Sequence, residues 1–305
     1  MTNRINSAQT SLDALLALLE NNDLGEPVRR RRFTGNREAN FYIGDERNNV
    51  ADGRRGDDVL RGNAGDDQLS GGGGQDLIFG GDGIDVIDGG SANDTILGEA
   101  GADQLSGGGG SDFLDGGSEN DTILGGRGSD LIVGNTGVDT LTGGTGRDQF
   151  VYNGNVFANG TPTLAAQPNI NVLNQPDIIT DFTIGEDQFT FDGTDLGLSP
   201  LVSQRGTASQ LVNTGTLANS NVIVLSDSFA AAGAAARAIA NNDNIQANEG
   251  IFVYFNTTLG LTRVVYSQDL GDGGNISVLA NLDNQRGAIG QTNLANFTAA
   301  EFALA

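Results

Sequence analysis

Eleven aspartates recur at every ninth residue through the middle of the chain: Asp58, Asp67, Asp76, Asp85, Asp94, Asp103, Asp112, Asp121, Asp130, Asp139 and Asp148. A regular fold brings carboxylates at such a spacing into line. Like charges about 5 Å apart in a poorly hydrated turn repel by several kcal/mol. An oxygen-liganded dication removes that repulsion. Ca²⁺ suits the arrangement best, because it accepts roughly 6–8 oxygens, backbone carbonyls included, in flexible geometry. Mg²⁺ demands an octahedron and holds its water, so it suits less well.

What the chain lacks narrows the chemistry further. Among 305 residues there is no His, Cys, Lys or Trp, and all 16 basic residues are Arg. Without His there is no Ser-His-Asp triad, no HExxH zinc site and no imidazole base. Without Cys there is no disulfide framework, zinc finger or thiol nucleophile. A net charge of −23 argues against nucleic acid, whose binders must neutralise phosphates. No apolar run approaches the length of a membrane span, and the stretch Leu12–Leu19, interrupted by Asp13, does not read as an export peptide.

The charge divides the chain in three. Residues 1–61 carry 10 Arg and 10 acids, residues 62–151 carry 2 Arg and 16 acids, and residues 152–305 carry 4 Arg and 13 acids. The corresponding domains are 1–34, an N-terminal helix with an Arg-rich linker, then 35–151, a repeat array, and 152–305, a β-rich capping domain.

The array reads in nines from Gly53, as GRRGDDVLR, GNAGDDQLS, GGGGQDLIF and so on through eleven units to Val151. Two weaker units precede it in the same frame, from Gly35 and Gly44, with Asn40 and Asn49 where the others have Asp. These early units are expected to coil without binding ions. A longer period shows as well: the segment from Gly62 returns 36 residues later from Gly98. Glycines at the first, second and fourth places offer positive φ and close backbone approach. The eighth place is always apolar: Leu60, Leu69, Ile78, Ile87, Ile96, Leu105, Leu114, Ile123, Ile132, Leu141 and Phe150. A six-residue turn followed by a three-residue strand with one inward side chain makes half a coil. Two units then make one coil, and coils stack about 4.8 Å apart with parallel strands. A flexible Gly/Asp linker would also be acidic, but it has no reason to keep an apolar residue at every eighth place. Ala92 and Glu119 stand where the fourth glycine belongs, at a cost of about 1–2 kcal/mol each if the backbone still turns left-handed.

This unit, G-G-x-G-x-D-x-U-x, resembles the RTX (hemolysin-type) calcium-binding nonapeptide. The resemblance implies a mainly β fold built on a right-handed parallel β-roll. It implies that each ion takes the second- and fourth-place carbonyls and the Asp of one turn, completed by the first- and third-place carbonyls and the Asp of the turn above. Carried onto this sequence, the glycine donors are Gly56, Gly65, Gly72, Gly74, Gly81, Gly83, Gly90, Gly101, Gly108, Gly110, Gly117, Gly126, Gly128 and Gly137, beside the eleven aspartates. One side pairs Asp58, Asp76, Asp94, Asp112, Asp130 and Asp148, and the other Asp67, Asp85, Asp103, Asp121 and Asp139. That implies about nine ions.

The flanks are less distinctive. Thr10 and Asp13 read as a capping box opening a helix whose Leu12, Leu15, Leu16 and Leu19 form one apolar stripe. The stripe suits either a cap over the first coil or a subunit contact. Arg29, Arg30, Arg31 and Arg32 form the one basic block, suited to an acidic polysaccharide, the acidic roll of a neighbouring molecule, or plain solvation. Towards the other end, Asp177–Phe191 alternates like a hairpin, and Asn221–Leu225, Ile251–Phe255, Leu261–Tyr266 and Ile276–Leu279 read as strands. Asp227 is placed to cap an Ala-rich helix running to about Ala240. The ending Phe297–Ala305 resembles the uncleaved signal of type I secretion substrates, and residues 215–305 resemble the bluetail domain of cyanobacterial surface proteins.

These features lead to the expectation of a secreted, extracellular or cell-surface protein, exported unfolded through a type I exporter and folded by Ca²⁺ outside the cell. As a structural, surface-layer or matrix protein it would self-associate. A second reading is an adhesin or polysaccharide-binding module, which aromatics such as Tyr254 and Tyr266 exposed on one face of the C-terminal sheet would distinguish from the first. Catalysis is not expected, since no compact carboxylate pair for glycoside hydrolysis stands outside the array.

Overall fold

A computed structural model of the chain describes residues 31–153, 176–191, 203–206, 222–230, 232, 234–236, 250–267 and 276–304. The leucine stripe and Arg29–Arg30 lie outside the described residues. Contacts divide the chain into two units, the first ending at Phe150 and the second running from Val151 to Leu304.

From Arg32 onward the first unit alternates between two parallel sheets, forming a β-solenoid of about seven turns. The strand Val59–Ala64 lies on Leu77–Asp82 with Leu60 opposite Ile78. In the other sheet Gln68–Gly73 lies on Val86–Ser91 with Leu69 opposite Ile87. Stacking of identical units fixes this register, because a slip by one residue would turn every eighth-place side chain outward. Leu60, Ile78, Ile96, Leu114, Ile132 and Phe150 are fully buried, and Leu69, Ile87, Leu105, Ile123 and Leu141 are at most 2% exposed. Each such side chain contributes about 1.5–3 kcal/mol of burial, so the ladder supplies the inner core of this glycine-rich unit. The early units coil as expected, with Tyr42 opposite Leu60 and Ala51 opposite Leu69. One strand more precedes them: Arg32–Thr34 pairs with Val50–Asp52, and Phe33 stacks on Tyr42 with ring centroids 5.1 Å apart.

The division of each unit differs from the expected six-residue turn and three-residue strand. The typical strand has six residues, places seven to nine and then one to three of the next unit, as in Thr122–Arg127. The ladder extends this far because each coil lies on another of the same shape. Even within the turns the amides of Gly56 and Gly65 donate to the Gly73 and Asp82 carbonyls of the next coil, both at 2.8 Å. Hydrogen bonds that run along the stack satisfy the backbone without folding it back on itself.

The outer faces of the two sheets are unlike. On the sheet containing Val59–Ala64, the outward residues Val59, Leu77, Phe79, Leu131 and Val133 are buried. On the other sheet Gln68, Val86, Asp88, Gln104, Thr122 and Leu124 are exposed.

The second unit is built on a mixed sheet. Ser203–Gly206, Val222–Phe229 and Gly250–Asn256 run parallel, followed by antiparallel Leu261–Ser267 and Ile276–Arg286, with Asp177–Ile179 parallel to the last. Ile223, Leu225, Phe252, Tyr254, Val265, Ile276 and Val278 form its core with Ala232, Ala235 and Ala236. The chain then forms a short helix, α1 (Gly287–Asn293), and two 3-10 turns.

Three expectations need correction here. Asp177–Phe191 is not a hairpin: Asp177–Ile179 pairs with Ala280–Leu282, while Gln188–Phe191 pairs with the final strand Phe302–Leu304. The alternation was real, but the turn at Thr183–Asp187 carries the chain from one sheet to another. Asp227 lies within the strand Val222–Phe229 rather than at the start of a helix, although Ala232 and Ala234–Ala236 are helical, and residues 237–240 lie outside the described residues. Tyr254 is fully buried and Tyr266 is 3% exposed, so they form no shared outer platform. Among the described residues no helix is long and apolar enough to cross a membrane.

Candidate metal centres in the solenoid turns

Every second and fourth place from residue 54 to residue 146 has positive φ. Gly72, Gly81, Gly90, Gly108, Gly117 and Gly126 hold the second place in this way, and Gly56, Gly65, Gly74, Gly83, Gly101, Gly110, Gly128 and Gly137 the fourth. The conformation lets their carbonyls point along the stack. A Cβ on Gly74 would collide with the Gly56 carbonyl oxygen, and one on Gly90 with that of Gly72. Ala92 and Glu119 do turn left-handed, with φ of 81° and 76°. So do Arg54, Asn63, Glu99 and Asn135 at the second place, which composition alone had not marked as strained.

First-place glycines have another role. They do not adopt positive φ, contrary to expectation. Their lack of a side chain makes room for the aspartate. A Cβ on Gly89 would lie 2.6 Å from Asp94 Oδ2 and 2.8 Å from the Gly107 carbonyl oxygen. The carboxylate and the first-place carbonyl of the next coil therefore meet over one Cα. Gly53, Gly62, Gly71, Gly80, Gly98, Gly107, Gly116, Gly125, Gly134 and Gly143 sit against the sixth-place Asp of their own units in the same manner.

All eleven aspartates are at most 3% exposed. In each, Oδ1 accepts the amide hydrogen of the sixth-place residue one coil earlier. Asp58 donates to Asp76 at 2.7 Å, Asp94 to Asp112 at 2.8 Å and Asp130 to Asp148 at 3.0 Å. On the other side Asp67 donates to Asp85 at 2.7 Å and Asp121 to Asp139 at 2.9 Å. The second oxygen is the unusual one. In Asp58, Asp67, Asp76, Asp85, Asp94, Asp103, Asp112, Asp121 and Asp130, Oδ2 is buried and accepts no hydrogen bond. A buried carboxylate oxygen in that state is costly and needs a positive partner.

The electrostatics agree. Burial pushes Asp58, Asp103, Asp112 and Asp130 up to about 6, and Asp76, Asp85 and Asp139 to about 7. Asp94 and Asp121 rise to about 8, burial being the main cause, with Asp76 and Asp112 adding repulsion at the first and Asp139 and Asp103 at the second. Asp67 is raised by burial as well. The accepted amide hydrogen bond opposes the rise in each case.

Among the described residues no three acidic side chains converge. In each ladder the site is instead one carboxylate per coil, set among carbonyls that point into the same gap. Buried acceptor oxygens, a glycine floor that any side chain would fill, and oxygen-only donors fit a hard dication of the calcium class. The residues that would hold it are the stacked aspartates and the carbonyls of places one, two and four. The ion would supply the positive charge that these oxygens lack.

Fifth-place side chains add a second ladder that sequence reasoning passed over. Asp57 Oδ1 accepts from the Gln75 amide at 2.8 Å, and Asn93 and Asn120 accept likewise from Ser111 at 2.7 Å and Val138 at 2.8 Å. The signal was available as Asx residues beside the invariant Asp.

Residues 43–78, 79–114 and 115–150 each match the family model of the RTX calcium-binding nonapeptide repeat (4 copies). No curated protein matches the chain. The matched segments stop at residue 150, so the bluetail likeness of the C-terminal unit stays a resemblance.

Proposed function

The solenoid of residues 43–150 belongs to the RTX calcium-binding repeats, and from that premise we propose that the chain is a secreted structural protein of a cell surface or extracellular matrix. In this reading it leaves the cell unfolded through a type I exporter. Scarce intracellular Ca²⁺ keeps the carboxylates apart, and extracellular Ca²⁺, present at about millimolar levels, exceeds the affinity typical of extracellular modules. Binding energy then becomes folding energy, because the sites exist only in the stacked coil. One observation carries the reading: nine buried carboxylate oxygens accept no hydrogen bond. About nine ions would fill the two ladders. The reading gives the chain no catalytic role.

A second reading, a glycan-binding module, is supported by a different feature. The C-terminal unit has an open cleft of about 650 Å³ lined by Asn284, Gln285, Asn293, Asn296, Thr298 and Glu301 among others; Asn284, Gln285 and Asn293 already donate within the protein, and exposed Asn296 is an amide of the kind that binds sugar hydroxyls.

Circular dichroism and sedimentation across a Ca²⁺ titration, with Mg²⁺ as control, test both. Folding together with growth into large particles supports the structural protein. Folding to a monodisperse monomer would sink self-assembly and favour the glycan reading, which glycan arrays then probe. No response to Ca²⁺ would overturn the calcium mechanism itself.

A further inference from the structure

The coil that begins at Gly44 has asparagine at its sixth place, and this side chain does what none of the aspartates can. Asn49 is 1% exposed. Its Nδ2 lies within hydrogen-bond reach of the Asp45 carbonyl at 3.2 Å, the Arg47 carbonyl, and Asp67 Oδ1 of the next coil at 3.1 Å, its two hydrogens shared among the three acceptors. Those acceptors are a second-place carbonyl, a fourth-place carbonyl and a sixth-place carboxylate. One atom thus lies within hydrogen-bond reach of three oxygens drawn from two stacked coils. The orientation of the amide is fixed by its other end, since Oδ1 accepts from the Tyr42 hydroxyl at 3.1 Å and from the Asp45 amide at 3.3 Å. Flipping the amide would set oxygen against oxygen at three contacts.

In the following coils the sixth place is Asp, which has no hydrogen to give, and the equivalent gap is left to oxygens alone. We infer that Asn49 is a built-in substitute for a cation, its partially positive amide nitrogen occupying the place that an ion takes between later coils. Resting on the calcium reading above, the inference adds that this step of the stack is closed without metal. The N-terminal edge is then formed before Ca²⁺ arrives, and the ion-dependent coils add onto it. A preformed edge removes the most unfavourable step for a linear array, the making of the first pair of neighbours.

The full-length chain, Asn49→Asp and Asn49→Ala are compared by equilibrium dialysis for bound Ca²⁺ and by hydrogen exchange with Ca²⁺ removed. The expected result is that Asn49→Asp binds one more ion per chain than the wild type, while Asn49→Ala binds no more. Without Ca²⁺, peptides covering residues 41–52 of the wild type exchange more slowly than those covering 95–105, and both variants lose that difference. The inference is overturned if Asn49→Asp gains no ion, if Asn49→Ala gains one, or if the wild-type edge exchanges as fast as the aspartate coils. A wild type that binds no Ca²⁺ at all would instead overturn the calcium reading, and this inference with it.

Discussion

The two units solve opposite problems. The solenoid buries eleven carboxylates and only one apolar side chain per nine residues at its centre. The C-terminal unit buries whole strands, with every residue from Gly250 to Asn256 buried, and stacks Phe182 on Phe189 at 4.7 Å and on Phe297 at 5.8 Å. Its buried Glu301 is satisfied within the protein, accepting from the Thr298 amide at 2.5 Å and hydroxyl at 2.9 Å. One unit hydrogen-bonds its buried Asp187 and Glu301 within the polypeptide. The other is complete only with counter-charges. The difference teaches that similar strand content can rest on hydrophobic burial in one place and on electrostatic neutralisation in another.

The comparison is most exposed to removal of Ca²⁺. Chelation is expected to abolish most of the solenoid's β signal and open residues 53–148 to protease, while residues 250–267 and 276–304 stay protected, as limited proteolysis with mass spectrometry would reveal. Loss of both units together would erase the distinction.

Acid should come next, because protons can neutralise the same carboxylates. Folded Asp76, Asp85, Asp94 and Asp121 titrate at about 7 to 8, against about 4 in an unfolded chain. The folded solenoid therefore holds more protons than the unfolded chain across that interval. Its ion-free stability is greatest below about pH 4 and is lost as pH rises through 6 to 8. With Ca²⁺ removed, circular dichroism should show more β structure at pH 5 than at pH 8.5. Equal spectra would mean that carboxylate burial does not govern the ion-free state.

Single substitutions separate the units more finely. Phe252→Ala removes a fully buried ring from the C-terminal core and should cost about 3–5 kcal/mol in denaturant unfolding of that unit, with the Ca²⁺ midpoint of the solenoid unchanged. Gly89→Ala places a methyl group against Asp94 Oδ2 and the Gly107 carbonyl; it should lose about one bound ion by dialysis and leave the C-terminal unit's denaturation midpoint where it was. The smallest effect is a gain. Ala92→Gly relieves a left-handed alanine at φ 81° and should stabilise the Ca²⁺-loaded solenoid by about 1 kcal/mol, read as a shift in thermal midpoint.

Much of the solenoid was legible because the chemistry repeats. Asp at the sixth place and an apolar residue at the eighth recur often enough to fix the coil length, the ladders and the class of ion. What stayed hidden depends on the neighbouring coil. The six-residue strand exists because the next coil pairs with it, and Arg54 and Glu99 turn left-handed because stacked glycines require it of every coil. Asn49 read as a missing ligand, whereas its partners across two coils make it a donor. In the C-terminal unit, alternation in Asp177–Phe191 marked strands correctly but could not say which sheet each joins. Tyr254 looked like a surface aromatic because a sequence does not reveal that both faces of a strand are covered.

The unlike outer faces impose a parity on the array. Successive nonapeptides go to opposite sheets, so gaining or losing a single one would send every later unit to the wrong side. Leu131 and Val133, now buried, would change places with the exposed positions that Thr122 and Leu124 hold. A change of eighteen residues leaves each side chain on its own face. Lengthening or shortening is therefore tolerated only in even steps, and the return of the segment from Gly62 at Gly98, 36 residues on, is a whole number of such steps.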